Sequence, residues 1–347
     1  MESTRDLVRH GNLYPAVFSL LAELPAGTLP HAQQHLRAPG GIYNLSIQRV
    51  FAAFRNDLDA LEDVHRNLGG PPPIEDSAIR LIAAHIELLE SMAAHIDDAY
   101  QILRACHPPQ PDVTESFADR WLEKAGVRGA AQFKRAIAPY RETLLRVVNK
   151  IKHEHGQLRL MAFSNTVAHS AGYYLESIDS TGVATQDPEL HPNHTAFSFN
   201  RDLRFHFVNL YDVGNALKMV LSPALRQLGI RITGRRTESP STELLAIAKR
   251  IEALGTIVFP DEVRISTPHV RVQEHDGNVT LSVRLPSLAV FRPPEHGMVA
   301  TVLVKGDGFT TQYQVPYFSR DLGVWTPQET NRRLPAECVR SPRATPR

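Results

Sequence analysis

Apolar residues recur every three or four positions over much of the first two thirds of the chain. One such segment covers residues 44–68, and a second covers residues 75–106. This spacing places the apolar side chains on one face of an α-helix. The two glycines and three prolines at positions 69–73 end the first helix, so the two helices are predicted to be antiparallel neighbours.

Three further helices are predicted on the same grounds. They cover residues 114–125, 130–153 and 200–225. Pro139 is expected to interrupt or kink the helix at 130–153, because proline lacks the backbone N–H that a helix interior needs. Several long amphipathic helices joined by short loops indicate a helical bundle.

The hydrophobic period changes after Gly156. Residues 158–163 and 172–178 read as two strands, which predicts a β-hairpin at about 157–180 inserted into the bundle. After a polar segment, one helix is predicted at 242–254. Two more hairpins follow, with turns at Asp276-Gly277 and Gly306-Asp307. The predicted fold class is α+β, with an N-terminal helical bundle followed by a smaller, β-rich α/β region.

Four segments are predicted along the chain. Residues 1–43 form an N-terminal extension, 44–225 the bundle with its hairpin, 226–331 the C-terminal region and 332–347 a disordered tail. The boundary between the two folded parts is placed in the polar stretch between residues 225 and 242, since domain boundaries favour such composition.

Composition limits the function classes. Lysine and arginine number 38 against 37 acidic residues, so the protein as a whole has no field that attracts nucleic acid. Cys106 and Cys338 are the only cysteines and lie far apart, which fits a reducing, cytoplasmic location. The apolar stretch 16–22 is too short to cross a membrane, which takes about 20 residues. No membrane association is expected.

One helical segment has candidate chemistry. Arg146 and His153 are seven residues apart, which is almost two helical turns, so they point the same way. Asn149 and Lys150 fall on the same side, and apolar residues occupy the other. An imidazole can move a proton at a ribose 2′-hydroxyl, and a guanidinium can hold the phosphate as charge develops. The stripe therefore suits RNA cleavage without a metal.

An arginine followed after a few residues by a histidine near the end of a bundle helix resembles the HEPN-like superfamily. Members of that superfamily are often ribonucleases of defence and toxin systems that cut RNA at a dimer interface. The resemblance implies that Arg146 and His153 are the catalytic pair and that Asn149 assists them. It also implies a homodimer that needs neither metal nor cofactor, RNA as substrate, and an antitoxin or defence-system partner protein.

Two alternatives stay open for the same residues. The chain is equally compatible with a non-catalytic interaction, scaffold or sensor module of HEPN-like fold. The basic stripe is also what the solvated side of any amphipathic helix shows, since basic residues favour the last helical turn.

Other residues suggest weaker hypotheses. Lys150, Lys152 and Arg159 are candidate RNA-binding residues. Beside them, Tyr173 and Tyr174 could offer base-stacking surfaces, against the alternative that at least one of the two packs in the core, since adjacent strand residues face opposite sides. Two histidine pairs are candidate zinc ligands, against the reading that they are ordinary surface residues; they are His153, His155, His191 and His194. A small basic cluster is either solvated linker or a phosphate contact; it comprises Arg231, Arg235 and Arg236.

Overall fold

The computed structural model describes most of the chain in separate ranges. They are residues 5–10, 12–25, 27, 29–67, 75–154, 156–164, 169–178, 180, 182, 184–192, 195–230, 241–255, 257–262, 265–276, 278–285, 298–305 and 310–319. Within these ranges the fold is α+β, with most of its helices in the N-terminal part, as the sequence predicts.

Seven α-helices lie in the described ranges. They are α1 (Ala16–Ala22), α2 (Pro39–Asn67), α3 (Glu75–Ala105), α4 (Ala118–Lys124), α5 (Arg128–His153), α6 (Phe199–Gln227) and α7 (Thr242–Ala253). Six of them, α2 to α7, correspond to the six helices predicted from periodicity, although α4 begins four residues later than expected. Helix α2 begins earlier than expected, at Pro39, because proline is compatible with a first helical turn. Helix α5 continues through Pro139 and is not interrupted there.

The strands form three small antiparallel sheets in the described part of the chain. They are β1 (Arg5–His10), β2 (Gln157–Ser164), β3 (His169–Ile178), β4 (Ala184–Gln186), β5 (Phe197–Ser198), β6 (Ile257–Val258), β7 (His269–His275), β8 (Asn278–Leu285), β9 (Met298–Lys305) and β10 (Thr310–Ser319). The sheet orders are β1-β8-β7, β6-β10-β9 and β2-β3-β4, with β5 also paired to β3.

All three predicted hairpins are confirmed as antiparallel strand pairs. Strands β2 and β3 pair from Gln157 opposite Glu176, and β9 pairs with β10. Strands β7 and β8 are joined beside Asp276, whose φ of 50° is the left-handed conformation that a tight hairpin turn requires. The predicted turn at Gly306-Asp307 lies outside the described residues.

Contacts between the N-terminal and C-terminal parts are extensive. Strand β1 pairs with β8 along its whole length, so the start of the chain completes a sheet of the C-terminal region. Helix α7 packs against α2, where Arg250 Nη2 lies 2.7 Å from Asp59 and 2.8 Å from Glu62. The predicted division into segments remains a prediction.

Helix α6 is the central element of the bundle. It contacts α1, α3, α5 and α7, and it is buried on most of its surface. Its apolar residues Phe199, Phe207 and Leu221 are fully buried, and burying one such side chain stabilises a fold by roughly 1.5–3 kcal/mol. Polar residues of α6 are buried as well, among them Arg201 and Asp202. A helix that is buried all round has to bring its polar groups into contact with partners.

No helix in the described ranges is sufficiently long and apolar to cross a membrane.

Candidate functional site

The predicted RNA-cleaving residues lie on the outer surface of α5. Arg146, Asn149 and His153 are exposed, whereas Val147 and Val148 between them are buried. His153 is the last residue of the helix. The predicted helical arrangement of the three polar residues is therefore confirmed.

The two cations of this stripe are held by carboxylates from the segment after β4. Arg146 Nη1 lies 3.3 Å from Glu189 Oε1, and Lys150 Nζ donates to Asp187 Oδ2 at 2.7 Å. The hydrogen bond to Asp187 raises the pKa of Lys150. Burial would raise the pKa of Asp187, but the bond from Lys150 and backbone N–H donors hold it below its usual range. RNA phosphates would have to compete with these carboxylates.

The other predicted RNA-binding cations are paired too. Lys152 Nζ lies 3.4 Å from Glu90 Oε1. Arg159 donates two hydrogen bonds to Glu176, of 3.0 and 3.1 Å. A bidentate pair of this kind fixes the guanidinium. The charge of this surface is therefore largely compensated by the protein's own acids.

The hypotheses of base stacking by the tyrosines and of zinc binding by His191 can be compared with the burial of these side chains. Tyr173 and Tyr174 are both 3% exposed, so the base-stacking interpretation is wrong and core packing is confirmed for both. His191 is buried, and its Nε2 accepts the backbone N–H of Leu175 at 3.0 Å, so that nitrogen is not available to a metal.

The other zinc candidates, His155 and His194, lie outside the described residues, as does the basic cluster of residues 231–236. The residues that the structure describes contain no group of three or more His, Cys, Asp or Glu arranged to hold a metal ion.

A buried cluster of ionisable side chains lies at the centre of the bundle, where sequence reasoning placed no site. We call it the polar network. It joins helices α2, α3, α5 and α6 to strand β3, and it comprises Asp57, His85, Tyr140, Tyr173, Asp202 and His206.

Asp202 is the centre of the polar network. Tyr173 donates its hydroxyl proton to Asp202 Oδ2 at 2.5 Å. His85 Nε2 and His206 Nε2 each lie 3.4 Å from the same oxygen. Tyr140 extends the network, since its hydroxyl lies 2.9 Å from His206 Nδ1. One oxygen of Asp202 therefore accepts a hydrogen bond from Tyr173 and lies within ion-pair distance of two imidazoles.

His85 lies between two carboxylates. Its Nδ1 is 2.8 Å from Asp57 Oδ2, and its Nε2 is the atom that faces Asp202. Burial lowers the pKa of His85, but Asp57 and Asp202 outweigh that effect and raise the pKa to about 9. Burial would likewise raise the pKa of Asp202, but His206 and His85 hold it well below its usual range. At neutral pH the network thus contains an imidazolium between two carboxylates.

The two tyrosines remain neutral at physiological pH. Burial, together with the charge of Asp202, raises the pKa of Tyr140 and of Tyr173 well above the usual value. Both hydroxyl groups therefore keep a proton to donate.

The start of α6 is fixed by a second set of buried hydrogen bonds. Ser198 caps the helix by accepting the backbone N–H of Arg201 at 3.3 Å. Glu262 in turn accepts the backbone N–H of Ser198 at 2.9 Å, and burial raises the pKa of Glu262 to about 8. Further along, Arg204 donates to carbonyl groups at the end of α7, including that of Gly255 at 3.2 Å. These contacts hold Arg201 and Asp202 in place.

A cavity of about 580 Å³ opens beside the polar network, between α5 and α6. Four residues of the polar network line it, which are Tyr140, Tyr173, Asp202 and His206. Much of the remaining wall is apolar and includes Leu89, Ile137, Leu144, Phe197, Val213 and Leu285. Its mouth is marked by exposed residues of α5, which are Ala136, Pro139 and Thr143.

Arg201 also lines the cavity and is 5% exposed. Its Nη2 donates to the carbonyl of Ser266 at 3.2 Å, and its Nη1 lies 3.5 Å from Asp202 Oδ1. The guanidinium is 5.2 Å from the ring centre of Phe205. Its Nε is buried and has no hydrogen-bond partner among the described residues. An unmet buried donor costs about 1–3 kcal/mol.

One sequence signal for this site was present. Arg201, Asp202 and His206 are spaced so that Asp202 and His206 share a face of an amphipathic helix. Likewise, His85 stands three residues after Ile82, in the apolar stripe of α3. Ile79, three residues before Ile82, continues the same apolar spacing but is 68% exposed. Polar residues at positions that periodicity assigns to the core are the signal from which a buried polar cluster could have been predicted.

No protein-family model, curated protein or solved structure was found to match this chain.

Proposed function

We propose that this protein is a non-catalytic sensor or interaction module that binds a small organic molecule in the cavity between α5 and α6. The observation that carries the proposal is the position of the polar network, four of whose residues line a cavity whose other lining residues are largely apolar. Ligand sites typically combine a mostly apolar lining with a few converging polar groups, in volumes of roughly 300–1,000 Å³. The cavity of about 580 Å³ lies within that range.

The energetic cost of the network supports a role in binding. Buried ion pairs are often no more stabilising than apolar residues of the same volume, so burying Asp57, His85 and Asp202 together needs a reason besides stability. Recognition of a ligand supplies that reason. Binding is favoured over catalysis because Tyr173, His85 and His206 already surround one oxygen of Asp202.

The test is a ligand screen that compares the wild-type protein with a variant in which a large side chain blocks the mouth of the cavity. The full-length protein would be screened against a library of small organic molecules by ligand-observed NMR. Thr143 is exposed at the mouth, so Thr143→Trp is expected to block entry without disturbing the core. Asn149→Trp is the matched control, since Asn149 is exposed on the same helix and does not line the cavity.

We expect compounds that bind the wild type and Asn149→Trp but bind Thr143→Trp at least about tenfold more weakly, a difference of 1.4 kcal/mol. A screen without binders, or binders that the Thr143→Trp substitution does not affect, would contradict the proposal.

A second candidate function is action on RNA by a homodimer with an HEPN-like bundle, as a metal-independent endoribonuclease of a defence or stress system. It is favoured by one observation, the joint exposure of Arg146, Asn149 and His153 on α5. In this role His153 transfers protons, Arg146 stabilises the phosphate, and the partner is an antitoxin or another defence-system protein.

Cleavage of total RNA in excess chelator tests this second candidate. Loss of a general acid or base commonly lowers the rate by about 10²–10⁴-fold, so His153→Ala is expected to remove most cleavage while the fold persists. Arg146→Ala is expected to be similarly damaging. Full activity of His153→Ala, or activity that disappears with chelator, would reject the mechanism.

A further inference from the structure

We infer that the ligand of this cavity is an uncharged molecule with an apolar body and a carbonyl-type oxygen that accepts a hydrogen bond from Arg201. The inference rests on the proposed binding function and adds the chemical class of the ligand. It depends on three properties of the cavity: its unmet donor, the charge balance around it and its apolar wall.

The unmet donor is the Nε–H of Arg201, since His206 Nε2, the other nitrogen of the cavity lining without a hydrogen-bond partner among the described residues, already lies 3.4 Å from Asp202 Oδ2. The Nε–H of Arg201 is buried beside the cavity and has no hydrogen-bond partner among the described residues, while the Nη atoms contact Ser266 and Asp202. A guanidinium has donors only, so the ligand atom that satisfies it must be an acceptor. Carbonyl, carboxylate and phosphate oxygens all meet that requirement.

Charge balance selects among these acceptors. The ionisable side chains around Arg201 already include at least as many anions as cations, since Arg201 and protonated His85 are matched by Asp57 and Asp202, and Asp212 adds a carboxyl group to the cavity lining. An anionic ligand would add a buried charge without a counter-ion, which is costly in a protein interior. An amide, ketone, ester or lactone oxygen accepts the same hydrogen bond and leaves the balance unchanged.

The wall of the cavity sets the body of the ligand. The residues of α6 that line it extend from Arg201 to Val213, which is roughly 18 Å at a rise of about 1.5 Å per residue. Across from them lie apolar residues of α5, including Ile137 and Leu144. An elongated apolar chain or ring system fills such a space.

Matched eight-carbon probes test the inference on the wild-type chain. Octanamide, octanoate and octylamine share one chain length and differ in the charge and hydrogen-bonding capacity of the head group. Their dissociation constants would be measured by isothermal titration calorimetry at pH 7.5. We expect octanamide to bind at least about tenfold more tightly than either charged probe.

Variants at Arg201 test its part in the binding. Arg201→Lys keeps the charge but removes the Nε–H, and Arg201→Met removes both. A hydrogen bond that involves a charged group contributes about 1.5–3 kcal/mol, so each variant is expected to weaken octanamide binding by roughly 10- to 150-fold. Thermal unfolding would show whether each variant is folded. The wild-type probe series decides the ligand class without them.

The outcomes separate this inference from the proposed function. Tighter binding of octanoate or octylamine than of octanamide, or equal binding of all three, would overturn the ligand class and leave the cavity as a binding site. Folded Arg201→Lys that binds octanamide as tightly as the wild type would also overturn it. If octanamide does not bind but the wider screen finds binders, the inferred ligand class is wrong and the proposed binding function stands. If the screen finds no binder at all, the proposed binding function is wrong.

Discussion

The charge of His85 predicts how stability changes with pH. This imidazole is fully buried, and Asp57 and Asp202 raise its pKa to about 9 against the burial that would lower it. In the unfolded chain the pKa of a histidine is about 6.5. Replacing His85 with glutamine removes the titrating group while keeping a side chain that can donate to a carboxylate.

The direction and size of the effect follow from proton linkage. Between about pH 6.5 and 9 the folded protein holds a proton at His85 that the unfolded chain releases, so the free energy of unfolding falls as pH rises. The contribution is complete below about pH 6.5 and is lost above about pH 9. A difference of about 2.5 pKa units, at about 1.36 kcal/mol per unit, corresponds to roughly 3 kcal/mol.

The pH dependence of the free energy of unfolding is measured by urea unfolding at several pH values, followed by circular dichroism. The free energy of unfolding of the wild type should fall by about 1.4 kcal/mol per pH unit more steeply than that of His85→Gln between pH 7 and 9. Glu262 is the control. Burial raises its pKa to about 8, so its own destabilising effect grows from about pH 4.5 and is complete near pH 8. Between pH 8 and 9, the free energy of unfolding of Glu262→Gln should therefore fall with pH as steeply as that of the wild type, because His85 is still present.

One result would refute the reasoning about the polar network. If wild type and His85→Gln show parallel pH dependence between pH 7 and 9, His85 is not a buried cation in the folded state. The charge balance from which the ligand class was inferred would then fail as well.

Two further predictions concern packing and surface charge. In thermal denaturation, Gly214→Ala should lower the free energy of unfolding by about 1–3 kcal/mol, because the added Cβ would lie 2.6 Å from Cβ of Pro15. Gly129→Ala, whose added Cβ has its nearest contact at 3.6 Å, should be neutral or stabilising in the same assay. Equal effects of the two substitutions would contradict the close approach of α6 to the chain before α1. Lys150→Met should lower the free energy of unfolding by about 1–3 kcal/mol in urea unfolding, because it leaves the buried Asp187 carboxylate without its cation, whereas Arg146→Met, which removes a half-exposed ion pair, should lower it by less than about 1 kcal/mol. The reverse order would show that burial does not govern the contribution of these ion pairs.

The sequence predicted the elements that have a single strong period. Helix α5 was predicted almost to its ends, because its apolar residues recur regularly and Gly156 follows it. Strand β1 was not predicted. It pairs with β8, far along the chain, and pairing over such a distance leaves no local pattern in six residues.

The candidate site was harder to predict than the fold because it is assembled from separate elements. Asp57, His85, Tyr140 and Tyr173 lie on four different elements and meet only through tertiary packing. The motif search instead selected Arg146, whose neighbours in sequence gave no sign of Glu189. Spacing on one helix predicts which side chains share a face, but not which acids from a distant loop cover that face.

The two candidate functions share one segment of the chain. Leu190 lines the cavity, and the residue before it, Glu189, binds Arg146 on the outer face of α5. On the helix side, Val147 lines the cavity directly after Arg146. A ligand that contacts Leu190 and Val147 therefore acts on the two backbone segments that this ion pair joins. If binding at one site changes the affinity of the other, the reverse effect has the same factor, since coupling between binding sites is reciprocal. A small molecule found in the cavity screen is thus also the first compound to add to the RNA cleavage assay.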